Sequence, residues 1–219
     1  MLVIFDLDGT LIDSRLDLAH SVNAALAAMG RGPLAHELIF SYVGNGAPVL
    51  MKRVMGPGTS EEEAAAALQF FLDYYREHAL DFTVLYPGVR EALGQLHGAG
   101  MRLAVLTNKP AGITNTIMEG LQLAPFMFRV YGGDSFAHKK PHPVGIDTLR
   151  AEAVVPAAST WMVGDSAVDI QTARNAGVSA CGVSYGFQPE TLREFPPDLL
   201  VDRLSEFAAF LLESRPQPE

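Results

Sequence analysis

Residues 2–10 read LVIFDLDGT, four apolar residues followed by two carboxylates that stand two positions apart and then by Gly9. A short apolar run that stops at a glycine is typical of a strand buried on both faces, as in parallel sheets. Because side chains alternate along a strand, Asp6 and Asp8 point the same way and Leu7 points to the opposite side. This stretch predicts a buried parallel strand with two carboxylates at its C-terminal end.

Further apolar runs repeat this pattern, and helix-compatible segments follow them. They lie at residues 102–107 (RLAVLT), 160–164 (TWMVG) and 178–183 (VSACGV), with a weaker run at 199–201. Strands that alternate with helices at this spacing are typical of βαβ units. The predicted fold class is therefore α/β, a doubly wound parallel sheet with a Rossmann-like core.

Between residues 14 and 85 the strand pattern is replaced by four helical segments, near residues 16–29, 34–42, 47–55 and 60–79. We predict a catalytic core made of residues 1–13 and 86–219 and an inserted four-helix cap made of residues 14–85. Two hinge strands hold such an insert over the C-terminal edge of the sheet, where a lid excludes water from a site. The alternative is that these helices extend the core without moving.

The composition limits the classes of partner. The chain has 219 residues, of which 48% are hydrophobic, so it can bury a full core. Its net charge of −9 argues against a nucleic-acid partner. The first residues carry no basic segment and no apolar run long enough for a signal peptide or membrane span, so we expect a cytoplasmic protein without a membrane partner. Cys181 is expected to be a core thiol, residues 214–219 a frayed tail, and the protein a monomer or a homodimer.

The carboxylates of Asp6 and Asp8 repel each other unless a cation lies near them. At about 4 Å and an effective dielectric constant near 20, the repulsion is about 4 kcal/mol. Hard cations prefer oxygen ligands, which makes Mg²⁺ the simplest compensation. The alternative is a capped turn, in which Asp8 and Thr10 only bind local amides.

A second acidic group lies at residues 163–169 (VGDSAVD), where another apolar strand gives way to a helix. Asp165 is expected at the strand end beside Asp6. Alternatively, Asp165 or Ser166 is only the N-cap of the helix. Asp169 is either an exposed helix residue or a group that reaches a lysine or the waters of a metal.

Two further segments carry groups that suit an anion. Residues 106–109 (LTNK) place a hydroxyl and then amides at the start of a helix, which suits phosphate oxygens, although Thr107 could be an ordinary cap. Residues 139–143 (KKPHP) hold a lysine in a loop made rigid by prolines. Lys140 is preferred over Lys139 because it directly precedes the first proline; the alternative is a solvated basic turn.

FDLDGT, LTNK, KKPHP and GDSAVD, in this order, resemble the four motifs of the haloacid dehalogenase superfamily of phosphatases, and the resemblance spans nearly the whole chain. The helical insert is similar to the four-helix cap of that family. Residues 42–47 (YVGNGA) resemble a cap segment of bacterial phosphoglycolate phosphatases.

The resemblance implies a role for each motif. Asp6 would be the nucleophile, and Asp8 would protonate the leaving alkoxide and then activate water. Thr107 and Lys140 would hold the phosphoryl oxygens. Mg²⁺ would be bound by the Asp6 carboxylate, the Asp8 carbonyl and Asp165, supported by Asp169 and Ser166. The predicted substrate-binding residues are Thr107, Asn108 and Lys140 in the core and, as the candidates for selectivity in the cap, Gly44, Asn45, Gly46, Lys52 and Arg53.

The expected activity is Mg²⁺-dependent hydrolysis of a small phosphate monoester, with 2-phosphoglycolate as the best candidate, through a phospho-aspartyl intermediate. Asp8 favours phosphate esters over halides, because a halide leaves without a proton. The alternatives are a phosphohexose mutase of the same superfamily, a phosphatase for another sugar phosphate or nucleotide, and a non-catalytic receiver module that is phosphorylated on Asp6.

Overall fold

A six-stranded parallel sheet forms the centre of the protein in the computed structural model, which describes residues 1–214. The tail expected at residues 214–219 lies outside the described residues except for Ser214, which ends the last helix. The strands of the described part, in chain order, are β1 (Leu2–Phe5), β2 (Ile12–Asp13), β3 (Val84–Leu85), β4 (Arg102–Leu106), β5 (Met127–Tyr131), β6 (Thr160–Gly164), β7 (Ser179–Val183) and β8 (Leu199–Val201).

The strand order in the large sheet is β5-β4-β1-β6-β7-β8. β1 lies between β4 and β6, so the chain winds to both sides of β1 and a crevice opens at the carboxyl ends of these three strands. The predicted fold class, a doubly wound parallel sheet, is confirmed.

Both faces of the sheet are buried, as the unbroken apolar runs predict. In β1, Leu2 and Ile4 pack into one apolar cluster and Val3 and Phe5 into another on the opposite face, and none of the four is exposed. Cys181 is a buried free thiol, as expected.

The α-helices of the described part are α1 (Arg15–Ala28), α2 (His36–Phe40), α3 (Ala47–Met55), α4 (Glu61–Glu77), α5 (Val89–Gly98), α6 (Ala111–Gly120), α7 (Val144–Ala153), α8 (Ala167–Asn175) and α9 (Leu204–Glu213).

Helices α1 to α4 form the insert, which follows β2 and precedes β3. These two short strands pair antiparallel in a separate ribbon, so the entry and the exit of the insert lie side by side. The buried carboxylate of Asp17 in α1 joins them further, because it accepts hydrogen bonds from the amides of Phe82 and Thr83 at 2.9 and 2.8 Å. The placement of the domain boundaries at residues 13/14 and 85/86 stays a prediction.

Two elements were not predicted. β5 is an edge strand with Arg129 at its centre, and α7 begins directly after Pro143.

In the described residues, no helix has both the length and the apolar character needed to cross a bilayer.

Candidate active site

The carboxyl ends of β1, β4 and β6 bring together three of the four motifs, the first, the second and the fourth. Asp6 follows β1, Thr107 follows β4 and Asp165 follows β6. All three residues line a cavity between the sheet edge and the insert, together with Asp8 and Asn108. Because these strands are adjacent and parallel, their carboxyl ends bring the polar side chains close together, as the sequence predicts.

Lys140 is buried and bridges two carboxylates. Its Nζ atom lies 2.9 Å from Oδ1 of Asp6 and 2.6 Å from Oδ1 of Asp169. The Asn108 side chain fixes the loop, since its Oδ1 accepts a bond from the Lys140 amide and its Nδ2 donates to the Lys140 carbonyl. Burial alone would lower the pKa of Lys140, but the carboxylates of Asp169 and Asp6 raise it above its usual value. The lysine is a fixed cation.

Asp169 is held by the start of α8. Its Oδ2 accepts bonds from the Ser166 amide at 3.2 Å and from the Ser166 hydroxyl at 2.8 Å, and the first of these belongs to a capping box at the start of the helix. Its other oxygen pairs with Lys140. Ser166 is thus the N-cap residue, and Asp169, which is not exposed at all, positions Lys140.

Asp6 and Asp165 carry more negative charge than their surroundings offset. Burial raises the pKa of Asp6 to about 6, with Asp169 and Asp8 acting in the same direction and Lys140 against them. Burial also raises the pKa of Asp165 well above its usual value, to which Asp169 and Asp6 add, although the amides of Phe187 and Gln188 bind this carboxylate. A pair of buried carboxylates in this situation is stabilised by a cation.

Two glycines pack against Asp165. Gly9 has a φ of +79°, and a Cβ atom there would lie 2.3 Å from Oδ2 of Asp165. A Cβ atom at Gly186 would lie 2.2 Å from Cβ of Asp165. The turn after β1 therefore needs glycine, both for its left-handed backbone and for its close approach to the carboxylate.

The residues present fit a divalent cation. Asp6, Asp165 and Asp169 each offer a carboxylate oxygen, and these oxygens lie within 4.8 Å of one another. Both oxygens of Asp169 already have partners, which leaves Asp6 and Asp165 as the carboxylates best placed to hold a metal ion. An all-oxygen donor set suits Mg²⁺. The part expected for the Asp8 carbonyl stays a prediction.

Asp8 has a partner that the sequence analysis assigned no role. Nζ of Lys109 lies 2.8 Å from Oδ1 and 3.1 Å from Oδ2 of Asp8, and the Ser14 hydroxyl donates to the same carboxylate. Lys109 also donates to the hydroxyl of Tyr75 in α4. A charged residue three positions after the end of β4 and directly before Pro110 was the available signal.

The insert contributes a mostly apolar surface to the cavity. Its lining residues are Leu18, Val43, Gly44, Gly46, Ala47, Leu50, Phe71 and Tyr75. Gly44 and Gly46 thus lie where the sequence predicts. Asn45, Lys52 and Arg53 do not line the cavity.

Lys52 and Arg53 are exposed because α3 turns its apolar face, which includes Leu50, Met51 and Val54, towards the interior. Arg53 instead donates to the Tyr42 carbonyl at 3.3 Å. The structure therefore does not bring these two cations to the other predicted site residues.

The loop before α3 contacts the core through its backbone. Nδ2 of Asn108 donates to the Gly44 carbonyl at 3.0 Å, and Nε2 of Gln188 donates to the Val43 carbonyl at 2.9 Å. A Cβ atom at Gly46 would lie 2.9 Å from Nζ of Lys139 and 3.1 Å from the Asn108 carbonyl oxygen. Gln188, which the sequence analysis did not identify, lies in a loop without a motif.

Comparisons with known proteins agree with this geometry. The family profile of haloacid dehalogenase-like hydrolases matches residues 3–183. The chain is 40% identical to a phosphoglycolate phosphatase of Vibrio parahaemolyticus over 94% of this chain and 93% of the relative. It is 38% identical to a phosphoglycolate phosphatase of Pseudomonas fluorescens over 97% of this chain and 80% of the relative.

Solved structures show the same arrangement of the chain. The crystal structure of a predicted phosphoglycolate phosphatase from Haemophilus somnus superposes with a TM-score of 0.91 at 32% sequence identity. The superposition covers 96% of this chain and 97% of the other. The similarity therefore includes both the sheet and the helical insert.

Proposed function

The chain belongs to the haloacid dehalogenase-like hydrolase family, and we propose that it hydrolyses 2-phosphoglycolate with Asp6 as the nucleophile and Mg²⁺ as the cofactor. It is a phosphoric monoester hydrolase. The observation that carries the proposal is the bridge from Lys140 to Asp6 and Asp169, since it fixes a cation beside a nucleophile that must meet an anionic phosphate.

In the proposed reaction, the Asp6 carboxylate attacks phosphorus while the bond between phosphorus and the ester oxygen breaks. Asp8 gives its proton to the leaving alkoxide and then takes one from the water that hydrolyses the aspartyl phosphate. Thr107, Asn108 and Lys140 hold the phosphoryl oxygens. Mg²⁺, when bound, offsets the charge of the carboxylates and of the phosphate.

The substrate is proposed from two kinds of support. The relatives named above are phosphoglycolate phosphatases. The cavity lies under the helical insert, so a small ester is enclosed while it reacts. The cytoplasmic location and the monomeric or homodimeric state stay predictions.

Phosphate release with Mg²⁺ from a panel of small phosphate esters tests the proposal, with Asp6→Asn run in parallel. We expect 2-phosphoglycolate to give the highest kcat/KM, and the variant to lose at least about 10³-fold. Broad, weak activity without this preference would mean that 2-phosphoglycolate is not the substrate, although the phosphatase chemistry would still hold. Bisphosphate-dependent interconversion of a sugar phosphate without free phosphate would favour the mutase.

A further inference from the structure

The cavity is lined by the cationic side chain of Lys109, to which the proposed reaction gives no role. Among the described residues that line it, Lys109 alone carries a cationic side chain, whereas Asp6, Asp8 and Asp165 are carboxylates. A second anionic group on a substrate would be repelled by these carboxylates. Lys109 is the group in the lining that can attract it.

Lys109 is placed at the junction of core and insert. Its side chain is only 3% exposed, and its ammonium contacts both oxygens of Asp8 and the hydroxyl of Tyr75. Lys140 differs, because its ammonium lies between Asp6 and Asp169 and, in the proposed reaction, holds the phosphoryl group. The two buried lysines therefore have different carboxylate partners, and of the two Lys109 lines this cavity.

We propose that Lys109 binds the carboxylate of the substrate and thereby selects phosphate esters of 2-hydroxy acids. This inference rests on the proposed function, in which Asp8 protonates the ester oxygen. The Tyr75 hydroxyl lies beside the same ammonium and is a second donor for the carboxylate. Burial raises the pKa of Tyr75 to about 12, so the phenol keeps its proton at neutral pH.

Distances near Asp8 allow a short substrate to reach Lys109. A proton transfer from Asp8 needs the ester oxygen about 2.7 Å from its carboxylate. Since Nζ of Lys109 lies 2.8 and 3.1 Å from the two oxygens of that carboxylate, the ester oxygen comes within about 6 Å of the ammonium. A carboxylate on the carbon next to the ester oxygen has its own oxygens about 3 Å from it, which standard bond lengths impose.

A short ester of this kind can therefore contact Asp8 and Lys109 together. The lining that the insert contributes is otherwise apolar and includes Leu50 and Phe71, so Lys109 and the Tyr75 hydroxyl are the groups on that side that can hold a carboxylate. The geometry thus favours a phosphate ester with a carboxylate close to the ester oxygen, such as 2-phosphoglycolate.

The variant Lys109→Met, with two substrates, tests this assignment. The substrates are 2-phosphoglycolate and 2-hydroxyethyl phosphate, which has a similar alkoxide leaving group and no carboxylate. Because Lys109 contacts Asp8, the variant can lose activity on both esters, and the ratio of their kcat/KM values isolates the contact with the carboxylate. We expect the preference for 2-phosphoglycolate over 2-hydroxyethyl phosphate to fall about 10- to 150-fold, the effect of losing a hydrogen bond to a charged group.

Two variants serve as controls. Lys109→Arg keeps the charge and should retain most of the preference for 2-phosphoglycolate over 2-hydroxyethyl phosphate. Lys52→Met removes the exposed lysine of α3 and should leave that preference unchanged. A cooperative thermal melt close to that of the unmodified protein shows that each variant is folded.

Three other results would contradict either the role of Lys109 or the proposed substrate. Equal losses on both two-carbon esters would mean that Lys109 acts only through Asp8, and the inference would be wrong. A loss of preference in Lys52→Met alone would place the carboxylate at the insert and also contradict it. If the unmodified enzyme hydrolyses other monoesters and not 2-phosphoglycolate, the proposed substrate itself is wrong and the inference falls with it.

Discussion

Nζ of Lys140 lies 2.6 Å from Oδ1 of Asp169, and both side chains are buried. The other oxygen of Asp169 is bound by the capping box at the start of α8, so a helix terminus fixes the carboxylate and the carboxylate fixes the lysine. The cation that we propose to bind the phosphate is thereby oriented before the substrate arrives, which is how an enzyme avoids reorganisation during reaction.

Replacing Asp169 tests this positioning role. In Asp169→Asn the ammonium of Lys140 keeps only Asp6 as a charged partner, so we expect kcat/KM to fall about 10- to 100-fold, as for other residues that orient a ligand. Steady-state kinetics on 2-phosphoglycolate measure the effect. Asp198→Asn, at a partly exposed ion pair with Arg174, is the matched control and should stay within about 2-fold of the unmodified enzyme. Equal activity of both variants would contradict the role.

The stability of the metal-free protein tests the assignment of Asp165. Burial raises its pKa in the folded state above the value in the unfolded chain, so the ionised carboxylate opposes folding at neutral pH and this cost disappears as the pH falls. We therefore expect Asp165→Asn to raise the Tm of the metal-free protein at pH 7.5 by a few degrees, about the shift that 1 kcal/mol produces.

Mg²⁺ binding should change the Tm of the unmodified protein and of Asp165→Asn by different amounts. It should raise the Tm of the unmodified protein by binding the folded state and should have little effect on Asp165→Asn. Thermal melts with and without Mg²⁺ measure both shifts, with Asp147→Asn, on an exposed part of α7, as the control. An equal Mg²⁺ response in all three proteins would exclude Asp165 as a ligand.

The pH dependence of the reaction should reflect Asp6. Its pKa is raised to about 6 by burial, and only the carboxylate form attacks phosphorus, so kcat/KM should fall as the pH decreases through about 6 at limiting Mg²⁺. A bound cation stabilises the carboxylate, so higher Mg²⁺ should move this acid limb to lower pH. Rate profiles at two Mg²⁺ concentrations check the shift. An acid limb that does not move would count against Asp6 as a ligand.

Gly46 tests the contact between the insert and the core. In Gly46→Ala the new Cβ meets Lys139 and the Asn108 carbonyl, and we expect kcat/KM to fall about 10-fold because the loop before α3 must move. Gly56→Ala is the control, since Gly56 also has a positive φ but no atom lies near its Cβ position. Both variants should lose about 1 to 3 kcal/mol of stability, because each glycine combines a positive φ with an extended ψ, and only Gly46→Ala should lose activity.

Local signals explain what the sequence predicted well. The apolar run at 2–5 and the run at 160–164 match β1 and β6 residue for residue, because buried parallel strands leave an unbroken apolar pattern. The α3 segment at 47–55 is also matched, bounded by Gly46 and Gly56. β5 was missed because an edge strand with a central arginine lacks that pattern.

The site residues that the sequence missed depend on long-range contacts. Lys109 contacts Asp8 and Tyr75, which lie 101 and 34 positions away in the chain. No local sequence pattern therefore predicts that these three side chains meet. Lys52 and Arg53 were expected at the substrate because they are cations in the insert, but the phase of α3 turns them outward. Which face of a helix meets the cavity is decided by packing between domains.

The most direct test of the central claim is detection of phosphate on Asp6. Asp8→Asn removes the base that activates water, so this variant should accumulate the intermediate when it is treated with Mg²⁺ and acetyl phosphate, whose leaving group needs no proton. Acid quenching, proteolysis and mass spectrometry then locate the phosphoryl group. The account predicts one phosphoryl group on Asp6 and none in the Asp6→Asn, Asp8→Asn double variant; a phosphoryl group on any other residue, or rapid phosphate release without a phosphoenzyme, would contradict it.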